Sequence, residues 1–140
     1  MSTESEILES YRVIAVVGLS PDQERASYHV AEYLKEYDYK IIPVNPWASE
    51  VLSEVCYPDL LSIPSPVEVV DIFRRAEDVP EIVEQAIKIG AKAVWMQEGI
   101  VNEIAAARAR EAGIFVVMDK CMLKEHRQLK FNKLENTQEG

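Results

Sequence analysis

A glycine and a hydroxyl side chain follow the most apolar run of the chain, and together they could hold a phosphate group. Residues 13–18 read VIAVVG, which is typical of a strand buried on both faces in a parallel sheet. Gly18 allows close approach of the backbone, Ser20 offers a hydroxyl, and an apolar helical pattern follows from Tyr28. A strand, a small-residue turn and a helix can aim N–H groups and a helix N-terminus at a phosphate. The segment therefore predicts a site for a phosphate-bearing nucleotide.

Arginines are the side chains that would neutralise such a ligand, because the chain itself carries a formal charge of −9. Arg74 and Arg75 follow a later apolar run, and a guanidinium group suits phosphate oxygens well. The alternative is a solvated basic pair, and Arg74 is the stronger of the two candidates. Arg25 and Ser27, early in the first crossover, could also reach a diphosphate.

The glycine turn lacks the full dinucleotide fingerprint, which would need glycines at positions 20 and 23, where this chain has Ser20 and Gln23. An NAD site usually ends its second strand on an acidic residue, whereas this strand ends on Val44-Asn45-Pro46. Classical NAD binding is therefore disfavoured. A tight turn without any ligand remains open.

Apolar runs and helical patterns alternate along the chain. This alternation predicts an α/β fold, Rossmann-like and doubly wound, with a mainly parallel five-stranded sheet and helices on both faces. The proline-rich segment 47–66 allows only short helices. We expect one domain over residues 1–140, with flexible ends at 1–6 and 131–140. The predicted strands are 13–18, 40–44, 67–73, 91–96 and 114–118. The first predicted helix carries the apolar pattern Tyr28, Ala31, Leu34 and Tyr37, and the later helices span 79–89, 102–113 and 120–129.

Ligands of such folds lie outside the C-terminal ends of the strands, so the residues just past each predicted strand become candidates. For two of them a role without a ligand is open: Glu98-Gly99 could be a simple turn, and Cys121 could be an inert buried thiol. The candidates are Gly18, Leu19 and Ser20; Asn45 and Pro46; Phe73, Arg74 and Arg75; Gln97, Glu98 and Gly99; and Asp119, Lys120 and Cys121.

Composition excludes several classes of protein. The acidic charge argues against nucleic acid and anionic membrane surfaces as partners. Two cysteines are too few for a disulfide scaffold or a four-ligand zinc site, and we expect no metal. No signal peptide or membrane-spanning run is evident, so we expect a cytoplasmic protein. No catalytic motif is present, and Trp47 and Trp95 are interpreted as packing residues.

Seven ordered motifs, at residues 16–21, 25–28, 42–46, 56–58, 70–75, 95–102 and 117–122, resemble one known family. These are the small stand-alone CoA-binding proteins of the YccU type, which are similar to the N-terminal CoA-binding domain of the succinyl-CoA synthetase α subunit. The resemblance covers about residues 7–130. The catalytic histidine of the synthetases lies in a further domain that this chain is too short to contain, so ligase activity is not expected.

The resemblance implies a domain that holds coenzyme A or an acyl-CoA along the C-terminal edge of its sheet. A homodimer or an unidentified protein partner stays open. By motif, Gly18, Leu19, Ser20, Arg25 and Ser27 would receive the diphosphate, Val44, Asn45, Pro46, Ile72, Phe73 and Arg74 would flank the adenosine, and Gln97, Glu98 and Gly99 would face the pantetheine.

One departure from the family concerns the 3′-phosphate of CoA. Relatives commonly carry a lysine after the Asn-Pro turn and a basic pair before Cys-Tyr-Pro, where this chain has Trp47 and Glu54-Val55. Either the arginines compensate, or CoA binds weakly, or the ligand lacks that phosphate.

Two other functions stay open: a small NAD(P)-dependent oxidoreductase, and a thiol-based regulator in which Cys121 pairs with the CoA thiol. We further expect Gly18→Val to block the ligand while leaving the fold intact.

Overall fold

The structure of the protein is a computed structural model that describes residues 2–139, with side chains up to residue 135. Helices and strands alternate along most of this range, as the apolar pattern predicts. The strands are β1 (Val13–Val17), β2 (Lys40–Val44), β3 (Glu50–Val51), β4 (Glu54–Val55), β5 (Val69–Ile72), β6 (Ala93–Met96) and β7 (Phe115–Val117). The helices are α1 (Thr3–Ser10), α2 (Ala26–Glu36), α3 (Val79–Lys88), α4 (Glu103–Glu111) and α5 (Met122–Glu139).

Five of the strands form one parallel sheet in the order β2-β1-β5-β6-β7. Both of its faces are covered, which is why its strands are mostly apolar rather than alternating, with Asp71 of β5 a buried exception. Ala15 and Val17 point into a core shared with α3 and α4, while Ile14 and Val16 point into a second core with α1, α2 and α5. The predicted doubly wound α/β fold is confirmed.

The strand order changes direction at β1, because the chain runs from β1 to β2 on one side and later continues with β5 on the other side of β1. Such a change of direction opens a crevice between the C-terminal ends of the adjacent strands, where ligands of these folds bind. Here the crevice lies between the loops after β1 and β5. No helix in the described range is both long and apolar enough to span a bilayer.

In three parts of the chain the structure shows elements that the sequence pattern did not specify. The segment 47–66 contains the antiparallel β3–β4 hairpin, followed by a three-residue 3₁₀ turn at Leu60–Ser62. Residues 3–6, expected to be a flexible end, belong to α1, which Ser2 caps and which buries Ile7 and Leu8. Residues 131–139, also expected to be flexible, continue α5 as a helix. Positions 1 and 140 of those predicted ends lie outside the described residues.

Candidate functional site

Two adjoining depressions open at the crevice, and Gly18 and Arg74 line both of them. The first, of about 280 Å³, lies between the strand ends and α3, and we call it the strand-end cavity. The second, of about 430 Å³, lies at the N-terminus of α2, and we call it the helix-end cavity. The apolar wall of the strand-end cavity consists of Val17, Val44, Pro46, Pro58, Leu60 and Ile82. The other residues of the helix-end cavity are Ser20, Arg25, Ala26, Ser27, Trp47 and Phe73.

The packing of the protein's own backbone requires a glycine at position 18, whether or not a ligand is bound. Its φ is +89°, and a Cβ atom there would collide with the carbonyl oxygen of Phe73 and lie 3.1 Å from Cδ of Arg74. The Phe73 N–H in turn donates to the Val17 carbonyl (2.8 Å), so the loops after β1 and β5 are in direct contact. The expectation that Gly18→Val leaves the fold intact is therefore wrong, because the β-carbon meets backbone rather than ligand space.

Side-chain hydrogen bonds hold the turn after β1 in shape. The Ser20 N–H donates to Oγ of Ser27 (3.1 Å), and Nδ2 of Asn45 donates to the carbonyl of Leu19 (3.0 Å). Oδ1 of Asn45 accepts the N–H of Trp47 (2.8 Å). Leu19 and Ser27 are buried. Leu19 and Asn45 thus shape the site, while Ser20 and Ser27 line the helix-end cavity.

The N-terminus of α2 has neither a side-chain cap nor an acidic residue in its first turn. Its N-cap residue is Arg25, an exposed side chain whose Nε lies 3.8 Å from a carboxylate oxygen of Asp22. Within residues 2–139, every other α-helix carries a glutamate in its first turn. Free N–H groups, the positive end of the helix dipole and a guanidinium group together favour an anion here.

The two adjacent arginines have different surroundings in the structure. The side chain of Arg74 is 34% exposed, borders both cavities and lies 3.3 Å from Oδ2 of Asp78. The side chain of Arg75 is 76% exposed, pairs with Glu77 (3.1 Å) and lines neither cavity. Arg74 is therefore the member of the pair that can reach a ligand in the crevice.

The loop after β6 makes its contacts within the protein. Gln97 donates through Nε2 to Asp71, Glu98 pairs with Nζ of Lys124 (2.9 Å), and the Gly99 N–H donates to Oδ1 of Asp119 (2.6 Å). None of the residues Gln97, Glu98 and Gly99 lines either cavity. They stand at the end of β6, one strand beyond the crevice.

Cys121 is half-buried, packs against the core that α1, α2 and α5 share, and lines neither cavity. Nothing in the geometry tests its chemistry towards a ligand thiol, so that chemistry stays a prediction.

Asp71 is a buried carboxyl group within the predicted strand 67–73 and was not among the candidate residues. It lies in β5 between β1 and β6, with no exposed surface. Its Oδ1 accepts from Gln97 at 2.5 Å, and its Oδ2 has no hydrogen-bond partner among the residues described. Burial raises the pKa of this carboxyl from 3.8 to about 7, and the Gln97 hydrogen bond opposes that rise.

The sequence profile of the CoA-binding domain family matches residues 12–127. The chain belongs to that family. It is 39% identical over 121 residues to the uncharacterized protein YneT of Bacillus subtilis, covering 86% of this chain and 90% of that protein.

Among solved structures, a hypothetical protein from Pyrococcus horikoshii superposes with a TM-score of 0.89 at 46% identity, covering 92% of each chain. The ADP-forming acetate–CoA ligase I of Archaeoglobus fulgidus is 35% identical over 103 residues, covering 74% of this chain. That match spans 14% of the ligase. The chain therefore corresponds to one segment of the ligase and to nearly the whole of the smaller relatives.

The two tryptophans, both interpreted from the sequence as packing residues, have opposite surroundings in the structure. Trp95 is a packing residue, fully buried, with its indole N–H donating to the Lys120 carbonyl (2.8 Å). Trp47 is 80% exposed and lines the helix-end cavity, so its interpretation as a packing residue is wrong. Glu54, which stands where relatives carry a basic residue, pairs with Lys35 at 3.6 Å and lines neither cavity.

Proposed function

We propose that this protein binds coenzyme A or an acyl-CoA in the crevice at the C-terminal edge of its sheet. The observation that carries the proposal is the N-terminus of α2, which has no cap and no acid and faces a cavity lined by Arg25 and Arg74. In a chain with a formal charge of −9, two guanidinium groups beside an open helix N-terminus favour an anionic ligand at this place. Membership of the CoA-binding domain family makes coenzyme A the first candidate.

The ligand would lie along the crevice with its diphosphate at the helix-end cavity. Its adenosine would lie against the strand-end cavity, whose walls are mainly apolar, and its pantetheine arm would run towards β6. The proposed diphosphate residues are Gly18, Leu19, Ser20, Arg25 and Ser27; the adenosine residues are Val44, Asn45, Pro46, Ile72, Phe73 and Arg74; and the pantetheine residues are Gln97, Glu98 and Gly99.

The proposal is one of binding and orientation, with the protein as a single cytoplasmic domain. Coenzyme A itself supplies a thiol that carries acyl groups, and the residues assigned above bind, orient and neutralise it. An NAD(P)-dependent oxidoreductase is the alternative, and the second strand gives it no support because it ends on Val44 and Asn45 rather than on an acid.

Isothermal titration of the intact protein with CoA and with NAD tests the proposal. We expect CoA to bind and NAD to give no heat of binding. Arg74→Ala should weaken CoA about tenfold or more, since a hydrogen bond to a charged group contributes roughly 1.5–3 kcal/mol. Arg75→Ala is the matched control and should leave the affinity unchanged. Binding of NAD without CoA, or equal losses in the two variants, would contradict the proposal.

A further inference from the structure

The backbone of Trp47 is fixed, while its ring stands open to solvent. Its N–H donates to Oδ1 of Asn45 at 2.8 Å, and Asn45 is itself tied through Nδ2 to the Leu19 carbonyl (3.0 Å). The side chain nevertheless remains 80% exposed. A large aromatic ring on a rigid turn that borders a cavity is a ready surface for a planar group, because the turn is ordered before the ligand arrives.

Trp47 stands where the two cavities meet. Its neighbour Pro46 lines the strand-end cavity, and Trp47 lines the helix-end cavity together with Arg25 and Arg74. An aromatic face beside groups that bind phosphate suits a nucleotide, since every base has a π-face that stacks on an indole ring.

The two cavities are lined by few cations. Among the described residues, Arg25 and Arg74 are the cations, and each already has a carboxylate neighbour, Asp22 and Asp78 respectively. Two guanidinium groups match the two charges of a diphosphate. A 3′-phosphate would bring roughly 1.5–2 further negative charges without a cation of its own in either cavity. The carboxylates of Asp59, Asp78 and Glu81 line the strand-end cavity as well.

We infer that Trp47 stacks on the purine base of the bound nucleotide, and that the site recognises this base through the indole ring rather than through the 3′-phosphate. The inference rests on the proposed function and adds a ligand class to it. That class is an adenosine diphosphate ester of pantetheine, with or without a 3′-phosphate. CoA and dephospho-CoA should therefore bind alike.

Titration of CoA and dephospho-CoA into the wild-type protein, Trp47→Ala and Trp47→Phe separates the contributions. We expect the wild-type affinities for the two ligands to agree within about threefold. Trp47→Ala should weaken both about tenfold or more, the range of a lost base–aromatic stack. Trp47→Phe should retain most of the affinity. Phe131→Ala, at an exposed aromatic residue on α5, is the matched control and should bind as the wild type does.

Tryptophan fluorescence gives a second measurement, because Trp47 and Trp95 are the two tryptophans of the chain. Stacking should quench the emission of the wild type on titration with either ligand, and Trp47→Phe, which keeps the buried Trp95, should show no quenching. Unchanged affinity in Trp47→Ala, or a tenfold preference for CoA over dephospho-CoA, would overturn the inference while leaving CoA binding in place. A wild-type protein that binds neither ligand would overturn the proposed function as well.

Discussion

Two helices begin at the C-terminal edge of the same sheet, and their N-termini are built in opposite ways. Helix α4, which follows β6, is capped by Asn102, whose Oδ1 accepts the N–H of Ala105 (2.9 Å), and it carries Glu103 in its first turn. Helix α2, which follows β1, begins at Arg25 without a cap and without an acid. At the first end a side chain accepts one of the free N–H groups and an acid complements the dipole, whereas the second end leaves both functions to an outside anion.

The glycines near these two helix ends differ in the same way. Gly18 and Gly99 both adopt a positive φ, of +89° and +85°. A β-carbon at Gly99 would meet nothing within 4 Å, while one at Gly18 would strike the Phe73 carbonyl. The end of β1 is therefore held rigidly against the loop after β5, and the end of β6 has open space.

The largest effect that we expect comes from these glycines. Gly18→Ala should lower the free energy of unfolding by about 4 kcal/mol, because backbone strain and a collision with backbone occur together. Gly99→Ala should cost only about 1–2 kcal/mol, the strain of the positive φ alone. Urea denaturation of both variants measures the difference. Equal losses would show that the two strand ends are equally tolerant and would remove this part of the comparison.

More of the fold than of the candidate site could be predicted from the sequence. Strands buried on both faces are apolar throughout, so β1, β2 and β6 were visible as runs. The β3–β4 hairpin was not, because its turn places Leu52 and Ser53 at positive φ (+54° and +62°), where glycine or asparagine is the usual signal.

At the site, the sequence identified the residues past each strand but not the direction in which they point. Arg74 and Arg75 are adjacent in the chain, yet only the side chain of Arg74 lines the cavities. The contact between Gly18 and Phe73 joins positions far apart in the chain, and no local pattern records it. The exposure of Trp47 likewise depends on how the turn after β2 folds, which composition does not determine.

Asp71 lies in β5, between the strands that precede these two helices, and accepts a hydrogen bond from Gln97 at the end of β6. Burial raises its pKa from 3.8 to about 7, so the folded protein keeps this proton to a higher pH than the unfolded chain does. Folding therefore becomes less favourable as the pH rises through this window, by about 2–3 kcal/mol between pH 5 and pH 8 from this group. Asp71→Asn should remove that contribution and be the more stable protein at pH 8.

Urea unfolding of the wild type and Asp71→Asn at several pH values measures this contribution. Glu98→Gln, an exposed carboxylate at the same strand end, is the control and should keep the wild-type slope. If the slope with pH is the same in Asp71→Asn as in the wild type, the buried carboxyl does not titrate in this range.

Adding an acid to each helix end tests the anion site directly. Ala26→Glu gives the first turn of α2 the charge that α4 already has, and it should weaken CoA about thirtyfold by repulsion of the diphosphate. The helix itself should be unharmed, because a glutamate near an N-terminus is stabilising. Ile104→Glu adds the same charge to the first turn of α4 at an exposed position and should not change the affinity. A loss of similar size in both variants would point to net charge rather than to a local site.

Removing the cap of α4 and adding one to α2 should have the smallest effects on stability, and these two variants test the anion site most specifically. Asn102→Ala removes the bond to the Ala105 N–H and the bond from Nδ2 to the Ala76 carbonyl (2.9 Å), so it should cost about 1 kcal/mol of stability. Arg25→Asn supplies a cap where α2 has none, in extended backbone that suits one, and should add up to about 1 kcal/mol. CoA affinity should move independently of stability, staying unchanged in Asn102→Ala and falling in Arg25→Asn because a guanidinium is lost. Thermal unfolding and titration on the same two samples measure both quantities. If Arg25→Asn binds CoA as the wild type does, the open end of α2 is not where the diphosphate lies.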